Sequence, residues 1–417
     1  MSETALDSFS RFINRRISTM LFLGFSSGLP LALTSGTLQA WLTVAGIDIR
    51  TIGIFALVGL PYTFKFLWSP LMDRFVPPWL GRRRGWMIIS QFCLMVAIGA
   101  IAAISPNELL WLLGVLAFMV AFLSASQDIA FDAYRADILR PSERGLGAAL
   151  SVFGYRVAML VSGALALITA ERIGWQSTYL VMAVLMTVGM VTTFLSLEPE
   201  GVAETPKTVT SAIVDPLREF LARRAALSLL LLIVLYKLGD AFAGTLTTAF
   251  LIRGLGFSVS EVGVINKGLG LIALLLGALS GGALMVRLRM YQSLLWFGLL
   301  QAITNLGFMA LAVVGKDYLG MALVVALENF AGGMGTAAFV ALLMALCDHR
   351  FTATQFALLS ALAAIGRVLV GPASGYLVEA IGWTDFFLLT FFSALPGLGL
   401  LWLLKRTVET LNDSQQL

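Results

Sequence analysis

The sequence predicts an all-α membrane protein of twelve transmembrane helices in two pseudo-symmetric six-helix halves, and three observations carry that prediction. Of its residues, 59% are hydrophobic and only 12% charged, with a mean hydropathy of +0.89, well outside the range of soluble globular domains. Glu198 to Arg224 forms a long polar run, flanked on both sides by tens of residues with hardly a charge. The flanks also repeat each other. Glu171-Arg-Ile-Gly-Trp-Gln-Ser-Thr-Tyr-Leu180 matches Glu379-Ala-Ile-Gly-Trp-Thr-Asp-Phe-Phe-Leu388 at Glu, Ile, Gly, Trp and Leu. At nearly the same offset Gly46–Gly53 matches Gly256–Gly263, and Arg156-Val157 matches Arg367-Val368. A period of about half the chain marks an internal duplication of the kind common in secondary transporters.

Apolar stretches of about 20 residues cross the hydrocarbon core, and charges, Gly and Pro mark the breaks between them. The first half reads as α1 at 17–44, α2 at 51–72, α3 at 86–105, α4 at 109–138, α5 at 145–170 and α6 at 177–197. The second half reads as α7 at 226–252, α8 at 260–285, α9 at 292–314, α10 at 319–346, α11 at 355–380 and α12 at 385–404. The domain organisation is therefore a six-helix bundle over 1–197, a linker over 198–225 and a second bundle over 226–417. Arg11, Arg15 and Arg16 ahead of α1 imitate a signal peptide, but the apolar run is too long and lacks a small-residue cleavage site, so α1 is expected to be retained.

Orientation follows from the loop cations. Most of them, among them Arg16, Arg74, Arg82, Arg144, Arg223 and Arg406, fall on the side of the termini and linker, whereas the opposite loops carry only Arg50, Arg172, Arg253 and Lys316. This bias places both termini and the linker in the cytoplasm. Trp79, Trp86, Trp175, Trp383 and Trp402 fall near helix ends, where interfacial anchoring is expected.

The same inventory removes several function classes. Basic residues are scattered over helix ends rather than gathered on one face, which argues against nucleic acid. Cys93 and Cys347 are far apart in or beside apolar segments, and His349 is the sole histidine, so neither a disulfide framework nor a metal cluster is expected. No nucleophile–base set or paired-carboxylate hydrolase site appears, so no enzyme and no cofactor are expected. Gly332-Gly-Met-Gly335 and Gly281-Gly282 lack the strand and the Lys-Ser/Thr ending of a phosphate loop, and read as close helix packing.

Six cations remain inside or at the edge of the helices: Lys65, Arg135, Arg156, Lys237, Lys267 and Arg367. Because a charge in hydrocarbon is costly, each should face a wet cavity or a partner. At 1.5 Å per residue Arg156 and Arg367 lie roughly 16 to 18 Å into their helices, near mid-membrane and related by the repeat. They either grip an anionic substrate, for which the arginine fork suits a carboxylate better than lysine does, or form a structural ion pair. Asp128 and Asp132 share a helix face with Arg135 one turn on, which suits a gate network as well as a substrate or proton role. Lys237 and Asp240 are spaced to pair. Glu328, roughly 14 Å into α10 with no helical-neighbour cation, is the more attractive proton carrier, with Asp240 the other candidate.

The loop after α2, Asp73-Arg-Phe-Val-Pro-Pro-Trp-Leu-Gly-Arg-Arg-Arg-Gly85, resembles the Gly-x-x-x-Asp-Arg-x-Gly-Arg-Arg signature of the major facilitator superfamily, with extra residues between Arg74 and Gly81 and Ser69 in place of the leading glycine. That resemblance implies a cytoplasmic latch carried by Asp73, Arg74 and Arg82 together with Asp132 and Arg135, while Arg83 and Arg84 read individually as flanking charges. It also implies a central cavity lined by α1, α4, α7 and α10 and a seam of α2, α5, α8 and α11 on which the halves rock.

Longer stretches look like the AmpG muropeptide permease family of that superfamily: Gly24-Phe-Ser-Ser-Gly-Leu-Pro-Leu-Ala-Leu-Thr-Ser-Gly-Thr-Leu-Gln-Ala-Trp41, Phe64-Lys-Phe-Leu-Trp-Ser-Pro-Leu-Met-Asp-Arg74, Ser124-Ala-Ser-Gln-Asp-Ile-Ala-Phe-Asp-Ala133, Leu235-Tyr-Lys-Leu-Gly-Asp-Ala-Phe242 and Ala353-Thr-Gln-Phe-Ala-Leu-Leu-Ser-Ala-Leu362. The resemblance implies proton-driven import of N-acetylglucosaminyl-1,6-anhydro-N-acetylmuramyl peptides across the bacterial inner membrane, for peptidoglycan recycling and β-lactamase induction. Many relatives continue into extra C-terminal hydrophobic helices, and this chain, ending soon after Arg406, is expected either to do without them or to be a natural short form. Such a cargo joins an amide-bearing disaccharide to a stem peptide with several carboxylates. Trp41, Tyr62 and Tyr155 can supply flat platforms, and Lys65, Arg156, Lys237, Lys267 and Arg367 the cations. Gln127, Gln301 and Asn329 either bond sugar hydroxyls and amides or knit helices together. Glu328, Asp240 and Asp128 are the expected proton-coupling acids, and the carrier is expected to act as a monomer. Rival readings are a carrier of another anionic cargo such as acetyl-coenzyme A, and a non-transporting sensor of cell-wall fragments.

Overall fold

The computed structural model describes residues 15–140, 143–198, 217–223, 225–348 and 352–413, and of their side chains all but those of Asp73, 352–353 and 411–413. Its helices fall on the predicted apolar runs, with α2 ending five residues early and α3 starting five residues early: α1 Arg15–Val44, α2 Ile49–Leu67, α3 Gly81–Ala102, α4 Leu110–Ile138, α5 Arg144–Ile173, α6 Trp175–Leu195, α7 Ala226–Gly254, α8 Val259–Met285, α9 Met290–Val314 and α10 Tyr318–Ala345. The last apolar stretch, Thr354–Leu403, is interrupted at Gly382 by non-helical backbone, which divides it into α11 (354–381) and α12 (383–403). In hydrocarbon every backbone N–H and C=O must be bonded within the protein, and helices meet that demand segment by segment. Large apolar side chains on the outside, such as Trp111 (70% exposed) and Leu279 (72%), then meet lipid rather than water. This is a multi-pass membrane protein.

The duplication is written into the turns. Gly46 and its repeat mate Gly256 take φ of +81° and +74°, and Gly174 and its mate Gly382 take +84° and +77°. A side chain is disfavoured in that left-handed region, so the turns keep glycine in both copies. The Trp after each of the second pair is packed rather than simply anchored at an interface: Trp175 stacks on Trp41, and Trp383 joins Phe250, Phe386 and Phe387.

The described residues form two compact units, one made of 15–41 with those from 64 to 198, the other of 42–63 with those from 217 to 413. In the first, Ile17, Met20 and Leu23 of α1 pack with Ala130, Phe131 and Tyr134 of α4 and Met87 of α3. Small residues bring α1 onto α5, where a Cβ on Gly24 would lie 2.2 Å from the carbonyl oxygen of Ser151 and one on Gly154 2.0 Å from that of Leu21. The second unit has its core between α7, α9, α10 and α12, with Tyr236 stacked on Phe339 at 5.5 Å and its hydroxyl donating to the Leu294 carbonyl at 2.8 Å. Gly277, Gly281 and Gly333 let α8 lie against α10, the packing the sequence indicated for Gly281 and Gly333, while a Cβ on Gly282 would meet nothing within 4 Å.

Within that second unit the segment 49–59 is held on α11. A Cβ on Gly53 would lie 2.5 Å from the Gly371 carbonyl oxygen, and one on Gly375 2.6 Å from that of Ile49. Arg50 forms an ion pair with Glu379 and sits 5.2 Å over the Tyr376 ring, while Arg253 donates to the carbonyls of Thr43 (2.9 Å) and Ile47 (2.7 Å).

Candidate functional site

Proline and packing break several helices where the charges sit. In α2, Pro61 cannot donate to the carbonyl one turn back, and the helix tightens to 3₁₀ geometry over Phe55–Gly59 and Lys65–Leu67. Lys65 opens the second of these. In α7 the regular helix stops at Tyr236 and restarts at Leu238, which puts Lys237 at the break and Asp240 in the first turn of the new segment. A carboxylate there meets the positive end of the segment's dipole. In α8 a π-helical stretch, Gly263–Leu269, carries Asn266 and Lys267, and in α5 another begins at Leu160, just after Arg156. Such widened turns recur at functional positions in helices.

The first unit gathers one set of charges. Lys65 Nζ lies 3.8 Å from Asp132 Oδ2, Arg135 reaches the other oxygen of Asp132 at 3.1 Å, and Arg135 also donates to the Ser151 hydroxyl at 3.2 Å. Asp128, one turn earlier on α4, accepts from the Ser27 hydroxyl of α1 at 2.5 Å, and the neighbouring Gln127 donates to the Ser26 hydroxyl at 2.9 Å. Trp68 supports this face through its indole N–H to Ser126 at 3.0 Å.

A second set lies in the other unit. Lys237 Nζ sits 3.5 Å from Asp240 Oδ2 and 3.1 Å from the Thr336 hydroxyl of α10. Glu328 of α10 accepts from its neighbour Asn329 at 2.8 Å and is within electrostatic reach of Lys237 and Asp240 on α7 and of Lys267 on α8. Lys267 in turn donates to the Thr248 hydroxyl at 2.9 Å. Three helices thus bring two carboxylates and two ammonium groups together in a part-buried setting, where water screens them weakly.

Arg156 and Arg367, related by the repeat, stand apart from both sets. Arg156 is half-buried, with a single contact to Met159 Sδ at 3.5 Å and an Nε that has no hydrogen-bond partner. Arg367 is exposed along α11. Among the described residues neither arginine has a carboxylate partner.

Other expected residues are placed as follows. Trp41 is only 5% exposed, stacked on Trp175 at 5.8 Å and set against Tyr179 at 5.2 Å, so its ring is packed against protein. Tyr62 and Tyr155 are half-buried, and Tyr155 lies against Gly28 of α1. Arg74 is exposed, Arg82 has a buried Nε without a partner, and the Asp73 side chain lies outside the described residues. Arg83 and Arg84, which the sequence presents as flanking charges, make the specific contacts. Arg83 pairs with Asp137 of α4 at 3.0 Å. Arg84 donates to the Thr193 and Phe194 carbonyls at the end of α6 and lies 3.7 Å from Glu198, whose carboxyl burial raises above its ordinary value. Basic side chains on helix-terminal carbonyls complement the negative end of the dipole. The signal for Arg84 is its position one helix away from a bare carbonyl end, which sequence spacing does not reveal.

Comparison with known proteins adds the following. The model of the Major Facilitator Superfamily matches residues 20–354. The anhydromuropeptide permease of Escherichia coli strain K12 is 56% identical over 399 residues, which are 95% of this chain and 81% of that permease. A putative transporter, AmpG 4, of Rickettsia felis is 35% identical over 95% of this chain and 98% of its own. Among solved structures, a peptide transporter, POT, in complex with sulfate superposes with a TM-score of 0.74 at 15% identity, covering 95% of this chain and 96% of that one. A bacterial homolog of the human lysosomal transporter Spinster, inward-facing and unoccupied, gives 0.72 at 15% identity, covering 95% and 98%. At that identity the structural likenesses establish the fold alone.

Proposed function

The chain belongs to the major facilitator superfamily and, within it, to the AmpG muropeptide permease family, and on that premise we propose that it imports anhydro-muropeptides from periplasm to cytoplasm by proton-coupled alternating access. The identity of 56% over 95% of the chain with the anhydromuropeptide permease of Escherichia coli carries the assignment. In this reading the protein lies in the bacterial inner membrane as a monomer, with termini and linker in the cytoplasm, the orientation favoured by its loop cations.

The charges divide into two jobs. Lys65 and Lys237 already hold carboxylates of the protein, Asp132 and Asp240. Arg156 and Arg367 hold none among the described residues, and each keeps a guanidinium fork available for a substrate carboxylate, where two parallel hydrogen bonds form. This favours the cargo role over the structural ion pair. Glu328 and Asp240 take the proton. Their carboxyls share a part-buried cluster with Lys237 and Lys267, where a proton on one acid replaces charge that the bilayer setting penalises. Asp128, bonded to Ser27, is the corresponding acid of the first half. Asp132 and Arg135 serve the cytoplasmic gate, with Asp73, Arg74 and Arg82 as its loop.

Rocking of the halves then exposes the site to each side in turn. At the end opposite the linker, the contact of segment 49–59 with α11, fastened by Arg50–Glu379 and by Arg253, has to open for cargo to enter. The test is uptake of labelled anhydro-muropeptide into proteoliposomes, with an imposed inward proton gradient and with that gradient collapsed by an uncoupler. Uptake that rises with the gradient is expected. No uptake under either condition, from folded and correctly oriented protein, removes the muropeptide assignment.

A further inference from the structure

Gly332 and Gly335 of α10 face away from the α8 packing that Gly333 makes, and the space they leave is occupied. A Cβ on Gly335 would lie 2.7 Å from Gln301 Oε1 and 3.9 Å from Lys237 Nζ. One on Gly332 would lie 3.6 Å from Gln301 Nε2 and 4.0 Å from Asp240 Oδ1. The amide of Gln301 on α9 therefore lies against the two glycines, its oxygen beside Gly335, where Lys237 Nζ also lies, and its nitrogen beside Gly332, where Asp240 Oδ1 also lies. That polarity matches both charges, because the amide oxygen accepts and the amide nitrogen donates.

The side chain is only 4% exposed, and its Nε2 has no hydrogen-bond partner. A buried donor left unsatisfied is costly, and Asp240 Oδ1 is the acceptor that shares its side of Gly332. The other donors near Asp240 have partners of their own: the hydroxyl of Tyr236 donates to the Leu294 carbonyl, that of Thr336 to the Gly332 carbonyl, and the Asn305 amide of α9 to the Gly239 carbonyl at 3.4 Å, which leaves Lys237 on Asp240 Oδ2.

We propose that Gln301 is a positioning residue for the Lys237–Asp240 pair. With Lys237 on Asp240 Oδ2, Nε2 of Gln301 serves as a second donor on the Oδ1 side of Asp240, so the acid stays oriented for proton exchange. The glycines at 332 and 335 keep that space open. This inference rests on reading the pair as part of the transport site.

The experiment compares gradient-driven uptake with gradient-free exchange of labelled anhydro-muropeptide in proteoliposomes holding equal amounts of folded protein. Q301L, which keeps bulk but loses the amide, is expected to lower the ratio of driven uptake to exchange at least tenfold. G335A, which pushes a methyl group onto Oε1 with Gln301 intact, should lower it as well. The double variant G335A/Q301A restores space without an amide and should stay defective. A wild-type ratio in Q301L, an equal loss of both activities, or recovery in the double variant would overturn the proposal in favour of plain packing. D240N separates the underlying reading. A normal ratio in D240N refutes the coupling role of the pair itself, whereas a defective D240N beside an unaffected Q301L overturns only the assignment of Gln301.

Discussion

Substituting Gly371→Ala should shift the chain towards the state in which segment 49–59 has parted from α11. A Cβ at Gly371 would lie 2.2 Å from the Cβ of Ala56 and 2.6 Å from the carbonyl oxygen of Gly53. Carbon atoms rest at about 3.5–4.0 Å, so the helices must separate by more than an ångström or distort. Overpacking of this kind costs about 1–3 kcal/mol, and only the state in which the two helices touch bears that cost. The open state should therefore gain roughly 5- to 150-fold in relative population. The nearby Arg50–Glu379 pair, nearly half exposed on both sides, resists with no more than about 1 kcal/mol.

A cysteine at Thr43, only 4% exposed in this structure, reports the opening in a background where Cys93 and Cys347 are serine. Its maleimide labelling rate should rise by the same factor in G371A and also in G53A, whose Cβ meets Gly371 from the other side. Unchanged labelling in both variants, from protein that elutes as a folded species in detergent, would refute the reasoning that this contact closes one end of the pathway. Faster labelling together with loss of the folded species would mean that the glycines serve stability instead.

Three further outcomes follow from the charges. Arg156→Ala should abolish uptake with membrane abundance unchanged, and Arg156→Lys should keep less than a tenth of it, since lysine cannot form the two-bond fork; loss of folded protein in both would restore a structural role. Glu328→Gln, which fixes a neutral side chain in place, should lose accumulation against a gradient while exchange continues, a comparison made in the same vesicles. At the linker end, Glu219 accepts from Arg223 at 2.6 Å and from Gln355 at 2.6 Å, and these bonds, Arg223 first, hold its carboxyl below the ordinary 4.5. Its contribution is therefore present above pH 4.5 and lost as pH falls through the lowered value. The melting temperature in detergent should drop across that acid window in the wild type and change less in Glu219→Gln.

How much of this was legible in the sequence depends on whether the cause lay along one helix or between several. Span positions were legible because apolar runs of membrane length leave the backbone little choice but helix. The start of α3 was not: it was expected at 86 and falls at Gly81, because Arg82, Arg83 and Arg84 lie within the helix and two of them find partners on α4 and α6. The Lys237–Asp240 contact was legible from its spacing along one helix. The partners of Glu328 were not, since they come from α7 and α8, and the same is true of Asp132 with Lys65. The repeat glycines were visible as identities, but only the backbone explains why they are kept.

The duplicated skeleton also shows where the halves have diverged. Set Phe131 against Phe339, the offset that aligns Glu171 with Glu379, and Asp128 falls opposite Thr336 while Gln127 falls opposite Gly335. In the first half α4 itself carries both the acid and the amide, and they bond to Ser27 and Ser26 of α1. In the second half α10 keeps a hydroxyl and a gap at those places. There the acid is Asp240 on α7, whose neighbour Lys237 bonds Thr336, and the amide of Gln301 on α9 lies against the gap. A hydroxyl is retained next to the charge in both cases, so the local chemistry is similar while the helices that supply it differ. A cargo with a neutral sugar end and a charged peptide end has no two-fold symmetry. A site made from a duplicated bundle can fit it only where the copies have parted in this way, and the glycines of α10 are the trace left by that parting in the sequence.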